Sequence, residues 1–335
     1  MAGGGIVGFV RIQGFSTPQP GPSGKPPSQP TSEPPQDVFV AQGDAIREKL
    51  QARTNPAEAL LRSGLNPQKL VDVAQQHATA RVIFADYFHD HAPPTVTSLG
   101  TLLAAAPPAS PDHGDRVLQT FLDELRKLPK DELAGLQDRI EVARVPMVED
   151  DGVADVVGAL SKVVAQATSP NNNVVAINLC SDYHDMSLTE INQLLTPAHQ
   201  VGAYGDFDSA HKAEALQALP AVDDATAKSW FGGDGIEAKN SPDQVRHLGR
   251  LVQQLDLLAQ DKAVLVASGN GGYVQPLALA PHAVTVGVSG PASLETVMPD
   301  TYAREDGDYS SFTTPMVTAA VTLLAAGPYP DGHGR

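Results

Sequence analysis

Short runs of consecutive apolar residues alternate along this chain with longer stretches whose apolar positions recur every three or four residues. The runs are Val82-Ile83-Phe84-Ala85, Val142-Ala143-Arg144-Val145, residues 174–179, residues 263–268 and Ala283-Val284-Thr285-Val286-Gly287-Val288. Continuous apolar runs of this length read as strands buried on both faces, which is how parallel sheets are built. Between them, residues 117, 118, 121, 122, 125 and 128 make one helical face, and residues 153–167 make another. Val245, Leu248, Leu251, Val252, Leu255 and Leu258 make a third, after a good helix start at Ser241-Pro242-Asp243-Gln244. Strand–helix–strand alternation predicts an α/β fold with parallel pairing and right-handed crossovers.

The amino-terminal part has a different texture. Residues 6–15 suit one short strand, and residues 16–36, dense in Pro, Ser, Gly and Gln, read as an extended or flexible linker. Residues 37–80 turn helical, with predicted helices at 45–52, 56–62 and 67–79 leading into the core. With 335 residues the chain suffices for one large α/β domain plus this extension. Hydrophobic content is 41% but aromatics only 5%, so the core must be Ala, Val and Leu. The net charge of −16 excludes the basic surface that phosphate contacts demand, so no nucleic-acid partner is expected. One cysteine, Cys180, excludes an intramolecular disulfide framework. No apolar run reaches membrane-spanning length, and the first residues lack a basic segment and a long apolar one. A cytoplasmic protein with no membrane partner is the expectation.

Polar residues stand where these elements end or begin. The first strand delivers Asp86, a helical pattern opens at His113-Gly114-Asp115-Arg116-Val117, and the 263–268 run leads through Gly269 to Asn270. Near the far end, Tyr309-Ser310-Ser311-Phe312-Thr313-Thr314-Pro315 enters a small-residue apolar helix. Pro315 is expected in that helix's first turn, which puts Ser311 at its entry, beside the positive end of the dipole. Asp, His, Asn and Ser are the residue types of acyl transfer: histidine takes the serine proton, aspartate fixes its tautomer, and the amide donates to the oxyanion. The plainer reading of Ser311 is a helix N-cap, and Ser310 is a rival nucleophile.

In these blocks the chain resembles the subtilisin-like serine proteases. Val82-Ile83-Phe84-Ala85-Asp86 looks like that family's strand ending in the catalytic aspartate, and His113-Gly114-Asp115-Arg116-Val117 its His-Gly-Thr-His-Val block. Ala267-Ser268-Gly269-Asn270 is similar to its oxyanion Ala-Gly-Asn, and Ser311-Phe312-Thr313-Thr314-Pro315-Met316-Val317 to its Ser-Met-Ala-Ser-Pro-His-Val. The resemblance runs in order from about residue 65 to 327. It implies a three-layer α/β/α sandwich with a mainly parallel central sheet. The catalytic domain would span residues 81–335, with an insertion at about 182–240 beside the cleft. It also implies an endopeptidase with the triad Asp86, His113 and Ser311, the oxyanion donor Asn270, and a cleft lined by Leu179, Cys180, Ser181, Ala267, Ser268 and Gly269. The partner would be a peptide or protein substrate. No cofactor or metal is expected; structural calcium has no clear motif behind it. An inhibitory prosegment over residues 1–64 competes with a simple tail plus accessory helices, which is favoured.

Departures from the family pattern define the alternatives. Tyr87-Phe88 replaces the small residues after the aspartate, where bulk threatens to reorient the carboxylate. Tyr309-Ser310 replaces a Gly-Thr before the nucleophile, and Arg116 replaces a second histidine. A catalytically inactive binding or regulatory module on the same fold is therefore the second hypothesis. A metal-dependent hydrolase using His89, His91 and Asp206 is the third, set against a polar loop at 89–91. The segment Asp206-Phe207-Asp208-Ser209-Ala210-His211 is read as a surface loop, and Cys180 as a buried thiol rather than a nucleophile.

Overall fold

Strand β1, Ala80–Asp86, is buried except at the half-buried Arg81, and it takes the middle of a sheet because both of its edges find partners. The computed structural model describes residues 55–89, 94–148, 155–170, 172–180, 186–202, 206–231, 242–269, 274–288, 300–303 and 310–327, all within one compact unit, Ala45–Arg335. The sheet has seven strands: β1, β2 (Thr95–Ser98), β3 (Ile140–Pro146), β4 (Val174–Leu179), β5 (Ala263–Ala267), β6 (Val284–Val288) and β7 (Thr301–Ala303). Their spatial order is β2-β3-β1-β4-β5-β6-β7. Every pairing is parallel except that of the edge strand β2 with β3.

The register aligns the carboxyl ends. Asp86 sits opposite Pro146, Ala85 opposite Leu179, and Leu179 opposite Val266. From β1 the chain steps out to the edge strand β2, returns to β3, then crosses over β1 to β4. This reversal makes the strand order switch direction beside Asp86, and a crevice opens at the carboxyl edge of such a switch.

Right-handed crossovers running in opposite directions place their helices on opposite faces. Ile83, Ala85, Ala143, Val145, Val264 and Val266 face the helices α6 (Val156–Thr168) and α10 (Pro242–Leu258). Val82, Phe84, Val142, Val175 and Leu265 face the other cluster. That cluster contains α1 (Pro56–Arg62), α2 (Pro67–His77), α4 (His113–Arg126) and α11 (Ser310–Ala326). Helices on both faces of a mainly parallel sheet make an α/β fold compatible with the three-layer sandwich.

The described part of the amino-terminal extension is built into this core. Asn55 and Asn66 cap α1 and α2, each followed by a proline at the first helical position. Leu60, Leu65 and Leu70 are fully or almost fully buried, Arg62 donates to the Asp300 carbonyl at 2.6 Å, and Lys69 meets Asp261 at 2.6 Å. The described residues 56–64 therefore contribute to the core. The strand expected at 6–15, the linker at 16–36 and the helix at 45–52 lie outside the described residues.

Two sequence expectations change. The edge strands β2 and β7 and the short helices α3 (Leu99–Ala104) and α5 (Lys130–Leu136) had no clear periodic signal. And residues 206–211 are not simply a surface loop. The Asp208 carboxylate accepts from the Ala210 and His211 amides at 2.9 and 3.1 Å, which starts helix α8, Ser209–Ala218. It and two neighbours, α7 (Leu188–Leu194) and α9 (Asp224–Phe231), make most of the described part of 182–240 helical.

Candidate active site

Asp86 closes β1 and His113 opens α4, and the two meet at the switch point. His113 Nδ1 lies 2.8 Å from Asp86 Oδ1, with the Asp86 side chain 1% exposed and that of His113 33% exposed. An ionised carboxylate can only accept, so with Asp86 ionised Nδ1 donates, and in the neutral ring that tautomer leaves the lone pair on Nε2. The same Oδ1 accepts the Tyr87 amide at 2.7 Å, which fixes the carboxylate's orientation. The bulk of Tyr87 and Phe88 has not turned it away: Phe88 is buried and lies under the Arg144 guanidinium, 5.6 Å from the ring centroid. Arg116, where the family pattern has a second histidine, points out and is exposed.

Gly114 explains why a glycine must follow the histidine. Its amide donates to the Tyr87 carbonyl at 2.7 Å, and a Cβ there would fall 2.8 Å from both that oxygen and the Asp86 Cβ. Only a residue without a side chain lets the helix start lie this close to the strand end.

Ser311 sits one residue inside α11, largely buried at 7% exposure. The expectation that Pro315 occupies the first turn is corrected, since the helix begins five residues earlier, at Ser310. Pro315 lacks the N–H that would bond the Ser311 carbonyl. The turn is held instead by hydroxyls: Thr313 and Thr314 both donate to the Ser310 carbonyl, at 3.0 and 2.8 Å. Ser311 keeps a first-turn amide with no intrahelical acceptor. Ser310, the rival, is 1% exposed and its hydroxyl donates to the Gly269 carbonyl at 3.2 Å. Phe312 lays its ring against His113, centroids 5.7 Å apart, so the helix carrying Ser311 abuts the helix carrying the imidazole.

The ends of β4 and β5 flank this meeting point. Leu179, Cys180, Ala267 and Ser268 are buried, so they offer no exposed side chain to a ligand. Gly269 adopts φ +97°, a left-handed conformation that suits glycine, directly before Asn270. Asn270 and Ser181 lie outside the described residues. The Cys180 thiol donates to Asn178 Oδ1 at 3.0 Å, and Asn178 Nδ2 donates to Thr318 Oγ1 at 2.8 Å, which ties β4 to the Ser311 helix through a buried polar chain. Cys180 is thus a core thiol.

Comparison with protein-family models, curated proteins and solved structures gives no match.

His89 Nδ1 lies 2.9 Å from Asp115 Oδ2; no group of three metal-ligating side chains occurs among the described residues, and His91 lies outside them. Asp115 escaped the sequence reading. The only hint was its position three residues after Asp112, the spacing of a helix-capping pair.

Proposed function

We propose that this chain is a subtilisin-like serine endopeptidase. The observation that carries this reading is the buried Asp86–His113 pair at the sheet's switch point, with the start of the Ser311 helix packed against the imidazole. Ser311 Oγ attacks the carbonyl carbon of a peptide bond while its proton passes to His113 Nε2. Asp86 holds the ring and stabilises the imidazolium. The oxyanion is taken by the Ser311 amide, free in the first helical turn, and by the side chain of Asn270. The Ser310–Gly269 hydrogen bond supports this pairing, because it tethers the residue before Asn270 to the same helix start. His113 then protonates the leaving amine, and water reverses the sequence to release the acid. An extended peptide would pair with backbone past the ends of β4 and β5, near Gly269, because Leu179 itself is already paired on both sides.

The test is labelling by a fluorophosphonate, with native protein compared against Ser311→Ala and Ser310→Ala. Labelling lost with Ser311→Ala and kept with Ser310→Ala is expected. A folded native protein that never labels would establish the inactive binding module instead.

A further inference from the structure

Two histidine–carboxylate pairs, not one, join the loop after β1 to the start of α4, and they run in opposite senses. In the first, the strand side supplies the carboxylate, Asp86, and the helix supplies His113. In the second, the loop supplies His89 and the helix supplies Asp115. Between them the Gly114 amide donates to the Tyr87 carbonyl at 2.7 Å. The three contacts step along both segments together, 86 to 113, 87 to 114 and 89 to 115.

Asp115 is the hub of the outer pair. Its side chain is 4% exposed. Its carboxylate accepts the His89 amide at 3.1 Å and the Asp112 amide at 3.0 Å, and engages His89 Nδ1 through both oxygens, at 2.9 and 3.0 Å. Asp115 stands where this sequence departs from the family block, and His89 lies just past another departure. Asp115 takes the place of a threonine, and His89 follows the bulky Tyr87-Phe88 that replaces small residues. The Asp115 carboxylate fastens the loop that carries Tyr87-Phe88.

We propose that Asp115 is a positioning residue for His113, holding residues 87–89 on α4 so that Asp86 and His113 keep their mutual orientation. The inference rests on the peptidase reading for its kinetic consequence, but not for its structural one. Asp115 touches no reacting atom; it acts through the loop. A displacement of an ångström at a general base costs about a hundredfold in rate, so loss of this brace is expected to be visible in kinetics.

The experiment uses the full chain with ¹⁵N-labelled histidine. The proton on His113 Nδ1 is assigned by its disappearance in His113→Gln, and fluorophosphonate labelling rates are measured in parallel. Asp115→Ala is expected to weaken or shift that proton signal and to slow labelling by about 10–100-fold. Asp115→Asn, which keeps an acceptor for the two amides, is expected to restore most of both. His89→Gln is expected to give a partial loss, and it stands in if Asp115→Ala does not fold. An Asp115→Ala protein of native stability with an unchanged His113 signal overturns the proposal. If the native protein never labels, the peptidase reading fails, and the proton signal alone still decides whether Asp115 positions His113.

Discussion

A Cβ on residue 114 would stand 2.8 Å from the Cβ of Asp86, closer than two such carbons approach in folded proteins. The strand end and the helix start have been brought together to the limit that a glycine permits. Gly114→Ala cannot be relieved by a side-chain rotation, because the Tyr87 carbonyl oxygen lies equally close and is backbone. We expect overpacking of about 1–3 kcal/mol, read as a lower denaturant midpoint, together with slower fluorophosphonate labelling. Native stability in Gly114→Ala would mean that the two elements can part without cost.

At the opposite edge of the sheet, Glu141 on β3 meets Arg81 on β1 at 2.8 Å and accepts from Asn173 before β4 at 3.0 Å. Partial burial pushes the Glu141 carboxyl up, but the hydrogen bonds from Asn173 and Arg81 and the Arg81 charge prevail. They hold it below its ordinary value of 4.5. A carboxyl lowered by folding contributes stability that is present above its unfolded value and lost as pH falls through the folded one. The group is about 29% exposed, so solvent screening limits the effect to about 1 kcal/mol or less. Urea unfolding of native protein and Glu141→Gln should therefore differ at pH 7 and converge as pH falls below 4.5. A difference that stays constant with pH would remove the ionic account.

Leu60 on α1 is completely buried in the same cluster as Phe84, Phe121 and Val321. Leu60→Ala should cost about 2–5 kcal/mol, as for other core leucines. A chain begun after residue 77 should not fold, because it would uncover one face of the sheet. Circular dichroism and thermal melting check both statements. A shortened chain that melts cooperatively at the native temperature would show the two helices to be accessory.

The sheet was legible because its strands are continuous apolar runs, and nothing but a doubly covered strand needs Val174 to Leu179 all buried. The face of α4 was legible for the same reason: Val117, Phe121 and Leu125 fall on one side and are fully buried. Asp86 and His113 could be paired only through a resemblance, since no local rule joins residues from different elements. The His89–Asp115 pair had no such guide. The early start of α11 was missed because Pro315 was weighed by its lost N–H alone, whereas threonine hydroxyls supply the turn with other hydrogen bonds. Asp208 looked like loop chemistry because an N-cap and a turn favour the same residue types.

Helix α11 packs on β1, β4, β5, β6 and β7 as well as on α1, α2 and α4, and it follows all of them in the chain. On a ribosome the sheet must wait for it with part of one apolar face uncovered. Ser311 arrives with that same helix, so a nascent chain carries Asp86 and His113 long before anything for them to activate. Synthesis thus delays any chemistry of this site until its fold is nearly complete, and the waiting face is where a chaperone would have the most to hold.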